Sequence, residues 1–224
     1  MTGFHRKYAT IGHGRPRSCS RACAGRGAGP GTGLCAQPRI AARDLPRLWL
    51  LTDERIAQAA LLAAAARLPR GAGIILRHYS LHVTERRKLF DAMRVIARRR
   101  GLVLLLAGTA GEAAAWGADG WHGRSPVRRA WAGRIPPIHS APAHDARELN
   151  RARASGADMV LASPVFATRS HPGSPALGRV RFALLAGQAK GMAVMALGGM
   201  NAARGKQVEA LGAHGWAAID GLAG

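Results

Sequence analysis

From about Leu48 onward, short apolar runs alternate with amphipathic or alanine-rich stretches, and no other feature constrains the fold as tightly. Eight runs read as strands: Leu48–Leu51, Gly73–Leu76, Leu102–Leu106, Gly120–His122, Pro137–His139, Met159–Ala162, Ala193–Leu197 and Trp216–Ile219. Between them, Ile56–Arg67, Thr84–Arg100, Ala110–Trp116, His144–Ala154, Val180–Ala189 and Ala202–Leu211 read as helices. Runs that are apolar on both faces and joined through helices imply parallel strands buried on both sides. Eight of them suggest a closed (β/α)8 TIM-type barrel rather than an open sheet. The related segments Gly117–His122, Gly156–Leu161 and Gly212–Ala217 support this, each giving a helix-ending glycine, a tight turn and an inward strand. The text ends at Gly224, so the eighth helix is expected to be absent or reduced to a stub, with Ile40–Leu45 partly covering that seam.

Ahead of this pattern, residues 1–43 show neither helical nor strand periodicity. They are rich in Gly, Pro, Ser and Arg, a composition that cannot bury enough apolar surface to offset its ordering entropy. We read them as a disordered basic extension and residues 44–224 as the barrel. Cys19, Cys23 and Cys35 all lie in the extension, with no paired Cys-x2-Cys spacing that would hold zinc. An odd cysteine number without a secretory pattern points to a reducing cytoplasm. No apolar run reaches the ~18 residues of a membrane span.

The net charge of +21 raises nucleic acid as a partner. The positive residues are nevertheless dispersed: residues 1–47 hold 9 basic and 1 acidic residue, and the remaining 24 basic residues run through the barrel. Only four of the 33 cations are lysines, a bias that coding composition produces as readily as a binding surface. Nucleic acid is therefore not taken as the primary partner.

In a barrel of this kind, ligands sit at the C-terminal ends of the strands. The strongest local signal there is Ala196-Leu197-Gly198-Gly199-Met200-Asn201, closing strand seven and opening a helix. Two glycines let a phosphate approach backbone amides, and the loops after strands seven and eight are the usual phosphate site. Gly221 follows strand eight. The polar stretch from Ser163 to Gly173, with Thr168, Ser170 and His171, reads as a loop that closes on substrate.

These residues together resemble a known family. Ile138-His139-Ser140, then Gly156-Ala157-Asp158, then Ser163-Pro164-Val165-Phe166-Ala167-Thr168 with Ser170-His171-Pro172-Gly173, then Ala196-Leu197-Gly198-Gly199-Met200 is similar to the thiamine phosphate synthase/TenI (thiazole tautomerase) superfamily. The likeness spans roughly Leu48 to Gly224. It implies a thiamine-biosynthesis enzyme acting on a small phosphorylated thiazole, with pyrimidine pyrophosphate and magnesium entering only on the synthase reaction. Homodimerisation stays open.

The departures separate the two activities. The synthase's Gln-x-Arg-x-Lys motif falls on Ile75 to Tyr79, where only Arg77 is kept, and its Asn-Asp pair falls on Ala107-Gly108. No acidic residue follows strand four in Arg124-Ser125-Pro126, and His171 replaces a loop-six lysine. With the magnesium carboxylates missing, the retained residues require no cofactor, and a tautomerase-like reaction is expected. The resemblance assigns proton transfer to His139 and gives ligand binding to Arg77, His122, Ser140, Ser163, Thr168, Ser170, His171, Gly198, Gly199, Met200, Asp220 and Gly221. Asp220 stands where a small hydroxyl residue is usual, with Arg77 or Arg179 as its candidate partner. A true synthase and a non-catalytic precursor-binding protein are the alternatives.

Overall fold

The computed structural model describes residues 44–125, 137–168, 173 and 175–223. All of them belong to the second of the two units into which the chain divides, Arg39–Gly224. The expected extension, Ser170 and His171 lie outside the described residues.

Eight parallel strands close a barrel in sequence order: β1 (Leu48–Leu51), β2 (Gly73–Leu76), β3 (Val103–Ala107), β4 (Gly120–His122), β5 (Ile138–Ala143), β6 (Met159–Ala162), β7 (Ala193–Ala196) and β8 (Gly215–Ala218). The β1–β8 pairing, Leu48↔Trp216 to Leu50↔Ala218, shuts the ring. The helices are α1 (Gln58–Arg67), α2 (Val83–Arg100), α3 (Ala110–Trp116), α4 (Ala146–Ala154), α5 (Gly178–Gln188) and α6 (Ala202–Glu209). One further turn, α7 (Asp220–Ala223), stands where the stub was expected. Among the described residues none forms a helix between β4 and β5. None of the described helices is long and apolar enough to cross a membrane.

Strand alternation divides the core in two. Trp49, Leu51, Ile75, Leu105, Ile138, Met159, Leu161 and Met195 fill the barrel interior. Leu50, Ile74, Leu76, Leu104, Leu106 and Trp121 face the helices on one side, and Ala141, Ala143, Val160, Ala162 and Val194 face them on the other. At the floor, Leu45 joins the interior cluster, Trp49 Nε1 donates to the Pro46 carbonyl at 2.8 Å, and His214 Nε2 meets the Leu45 carbonyl at 3.0 Å.

The strand expected at Pro137–His139 is corrected: β5 begins one residue later and continues to Ala143. A proline inside a strand normally argues against it, because its missing N–H leaves a ladder bond unmade. Here β4 ends at the pair His122↔Ser140, so Pro142 lies past the last residue of β4, while on its other side it pairs with Leu161. The four extra residues move the mouth of this strand from His139 to His144.

Candidate active site at the barrel mouth

A cavity of about 380 Å³ opens at the C-terminal ends of the strands. Of the residues expected at the site, Arg77, Ser163, Thr168, Gly198, Gly199, Met200, Asp220 and Gly221 line it together. Leu197, Ala218 and Ile219 add apolar lining.

The cup at β7 depends on backbone shape. Gly198 and Gly199 both take the left-handed conformation, with φ of 96° and 61°. A Cβ on Gly198 would stand 2.7 Å from Pro164 Cα, so this turn and the segment after β6 fit only without side chains. Asn201 then caps α6, its Oδ1 accepting from the Arg204 N–H at 2.9 Å.

His144 also lines the cavity; the sequence reading placed it at the start of a helix and did not count it among the site residues. Residues 138, 140, 142 and 144 share one parity along β5 and its extension, the inward one that Ile138 displays. His144 Nδ1 lies 2.5 Å from the Ser163 carbonyl, so Nδ1 carries the hydrogen and Nε2 is the basic nitrogen. Glu148 holds the loop from behind by accepting the His144 N–H at 2.9 Å. The signal that would have found it is the length of β5, which the proline conceals.

His139 has the opposite parity and does not reach the cavity. It is fully buried in the outer layer, its ring stacked on Trp121 with centroids 4.2 Å apart and planes at 15°. Nε2 meets the Gly123 carbonyl at 2.9 Å, and the backbone N–H of His139 donates to Asp158 Oδ2 at 2.8 Å. The resemblance expects proton transfer at His139, whereas alternation turns its ring toward the helices. His122 and Ser140 do face inward, 2.9 Å apart, but both are buried and neither lines the cavity. Burial pushes the His122 pKa down to about 3, with the charges of Arg77 and His139 adding, so the ring is neutral.

Arg77 is set by its neighbours. Nε donates to the Thr52 carbonyl at 2.8 Å and Nη2 to Asp53 Oδ2 at 2.9 Å. His78, next in sequence, is buried with φ of 42° and Nδ1 2.9 Å from Thr52 Oγ1. Burial opposes ionisation of Asp53, but hydrogen bonds from Arg55 and the charges of Arg77 and Arg55 outweigh it and lower its pKa. Of the expected partners of Asp220, Arg77 binds Asp53 and Arg179 is exposed on α5, and the charge of Asp220 also acts on Arg55.

Magnesium, which the synthase reaction brings, needs oxygen donors, and the donor set does not fit it. The β3 and β4 mouths present Ala107-Gly108 and Gly123-Arg124. Asp53 is paired with Arg55 and Arg77, Glu112 with Arg86 and Glu148 with Arg124, and Asp220 lines the cavity. Among the described residues no cluster of three or more His, Cys, Asp or Glu could hold a metal ion.

Comparison with known proteins gives the family from two directions and the fold from a third. The family model described as thiamine monophosphate synthase matches residues 48–222. A thiamine-phosphate synthase of Methanoculleus marisnigri is 32% identical over 190 residues, covering 79% of this chain and 87% of the relative. One of Chloroflexus aurantiacus is 27% identical over 185 residues, covering 79% and 84%. Among solved structures, thiamine phosphate pyrophosphorylase from Pyrococcus furiosus superposes with a TM-score of 0.64 at 21% identity, covering 82% of this chain and 89% of that one. At that identity the superposition speaks for the fold alone.

Proposed function

This chain belongs to the thiamine monophosphate synthase family, a family of enzymes, and within it we propose a metal-independent proton transfer on a thiazole carboxylate phosphate. The observation that carries this reading is one cavity holding both a basic imidazole and a glycine cup, beside strand mouths that lack magnesium carboxylates. In the proposed mechanism the phosphate accepts the Gly199 and Met200 amides, whose neighbouring carbonyls are turned away from the cavity. Arg77, held by Thr52 and Asp53, balances the ligand carboxylate. His144 Nε2 takes a proton from one ligand carbon and returns it to another, while the Ser163 carbonyl keeps Nδ1 protonated. Thr168, which lines the same cavity, offers its hydroxyl to the bound ligand. This assigns the proton transfer to His144 in place of His139.

A second reading, condensation with pyrimidine pyrophosphate, is favoured by the two relatives, both thiamine-phosphate synthases. A product assay on the full chain separates them. It offers the thiazole carboxylate phosphate alone, and then the same compound with pyrimidine pyrophosphate and magnesium. Tautomer formed without metal is the expected result. Thiamine phosphate from the second mixture would instead make this a working synthase. Ligand-induced thermal stabilisation without either product would make it a binding protein.

A further inference from the structure

Arg204 lies in the first turn of α6, and its side chain folds back over the glycine turn. Its Nη1 donates to the Gly199 carbonyl, and the guanidinium carbon stands 4.7 Å from the centroid of the Phe166 ring. Phe166 belongs to the segment after β6, which continues the ladder with β7 past the strand ends. Val165 N–H donates to the Leu197 carbonyl at 2.8 Å and Phe166 N–H to the Gly198 carbonyl at 3.2 Å. Three successive carbonyls, those of Leu197, Gly198 and Gly199, are thus each held by a named donor.

In a planar trans peptide the N–H points opposite to the carbonyl. Holding the Gly198 carbonyl therefore sets the direction of the Gly199 N–H, and holding the Gly199 carbonyl sets that of the Met200 N–H. Gly199 and Met200 both line the cavity. Phe166 and the backbone fix the first of these peptides; Arg204 alone among the named donors fixes the second.

We propose that Arg204 is a positioning residue for anion binding, aiming and strengthening the Met200 N–H by holding the Gly199 carbonyl. A cation on a carbonyl polarises the peptide and makes its N–H a stronger donor. The Phe166 ring fixes the guanidinium plane, which a lysine ammonium would not reproduce. The inference rests on the reading of the glycine turn as the phosphate site and adds the residue that tunes it.

The test is a titration of the full chain with inorganic phosphate, followed through the backbone amide resonances of Gly199 and Met200. In the native protein both should move together and saturate. In Arg204→Met the Met200 response should collapse and the dissociation constant rise about 10-fold, while the Gly199 amide still responds. Arg204→Lys should recover part of the affinity through its charge but not the Met200 response. Phe166→Leu, which removes the ring and leaves the backbone bonds, should weaken binding about 3-fold. A Met200 amide that shifts normally in Arg204→Met, at native affinity, would overturn the proposal. Native amides that ignore phosphate would overturn the phosphate site itself, and this inference with it.

Discussion

The two halves of the barrel mouth are built on opposite principles. Around β7 and β8 the chain is glycine-rich, the carbonyls are engaged from outside, and a cavity of about 380 Å³ is left open. Around β3 and β4 the corresponding space is knitted shut. Arg86, only 8 % exposed, donates Nε to the Arg77 carbonyl at 2.9 Å, Nη1 to Glu112 at 3.0 Å and Nη2 to the Ala107 carbonyl. Below it, His122 and Ser140 satisfy each other. One half therefore leaves an open, glycine-lined cavity, and the other consumes its polar groups internally.

The contrast breaks most sharply at His139 of β5 and at His144 just past its end. His144→Ala should lower turnover by about 10²–10⁴-fold with little change in melting temperature, since general acid–base groups contribute on that scale. His139→Ala should do the reverse, destabilising the protein by about 1–3 kcal/mol while folded molecules keep their turnover. Kinetics and thermal melts on both variants decide it, and a His139 variant that is stable but inactive would invert the assignment.

Next in size is the cup. Gly198→Ala places a methyl group against Pro164 at a left-handed residue, so ligand affinity should fall about 100-fold by calorimetry. On the closed half, Arg86→Met leaves Glu112 and two carbonyls without their donor. A loss of about 2–3 kcal/mol in denaturant unfolding is expected, with ligand affinity kept within about 3-fold.

Acid should act on the closed half through its neutral histidines. Burial holds the pKa of His78 and His122 below the ordinary value, His122 at about 3. Below pH ~6.5 the unfolded chain binds protons that the folded one refuses, so stability is complete above that pH and falls beneath it. For His122 the slope approaches about 1.4 kcal/mol per pH unit down to its folded value, measurable as unfolding midpoints across pH 7 to 4. His122→Asn should flatten that slope. The smallest effect belongs to Arg124, whose exposed bond to Glu148 spans 2.5 Å. Arg124→Ala should change stability by under about 1 kcal/mol and leave KM unmoved; a raised KM would extend the ligand site to β4.

Much of this architecture is legible in the residues themselves. β1, β2, β4 and β6 begin and end where apolar runs meet polar turns, and Gly198-Gly199 announces a close backbone approach. The limit is reached where meaning depends on strand length. Pro142 hides the second half of β5, and with it the parity that sends His139 outward and His144 into the cavity. The Arg86 network was invisible for a different reason: its partners lie 9 to 26 positions away in sequence, and only closure of the barrel brings them together.

β5 behaves like a reading frame. Its residues alternate between wall and lumen, so deleting any single residue between Ile138 and Ala143 would exchange every assignment downstream of the gap, withdrawing His144 from the cavity. Deleting two would restore the phase but shorten the wall by one step. The segment that supplies the proposed base thus tolerates changes of length only in pairs, even though none of the residues from Ile138 to Ala143 lines the cavity.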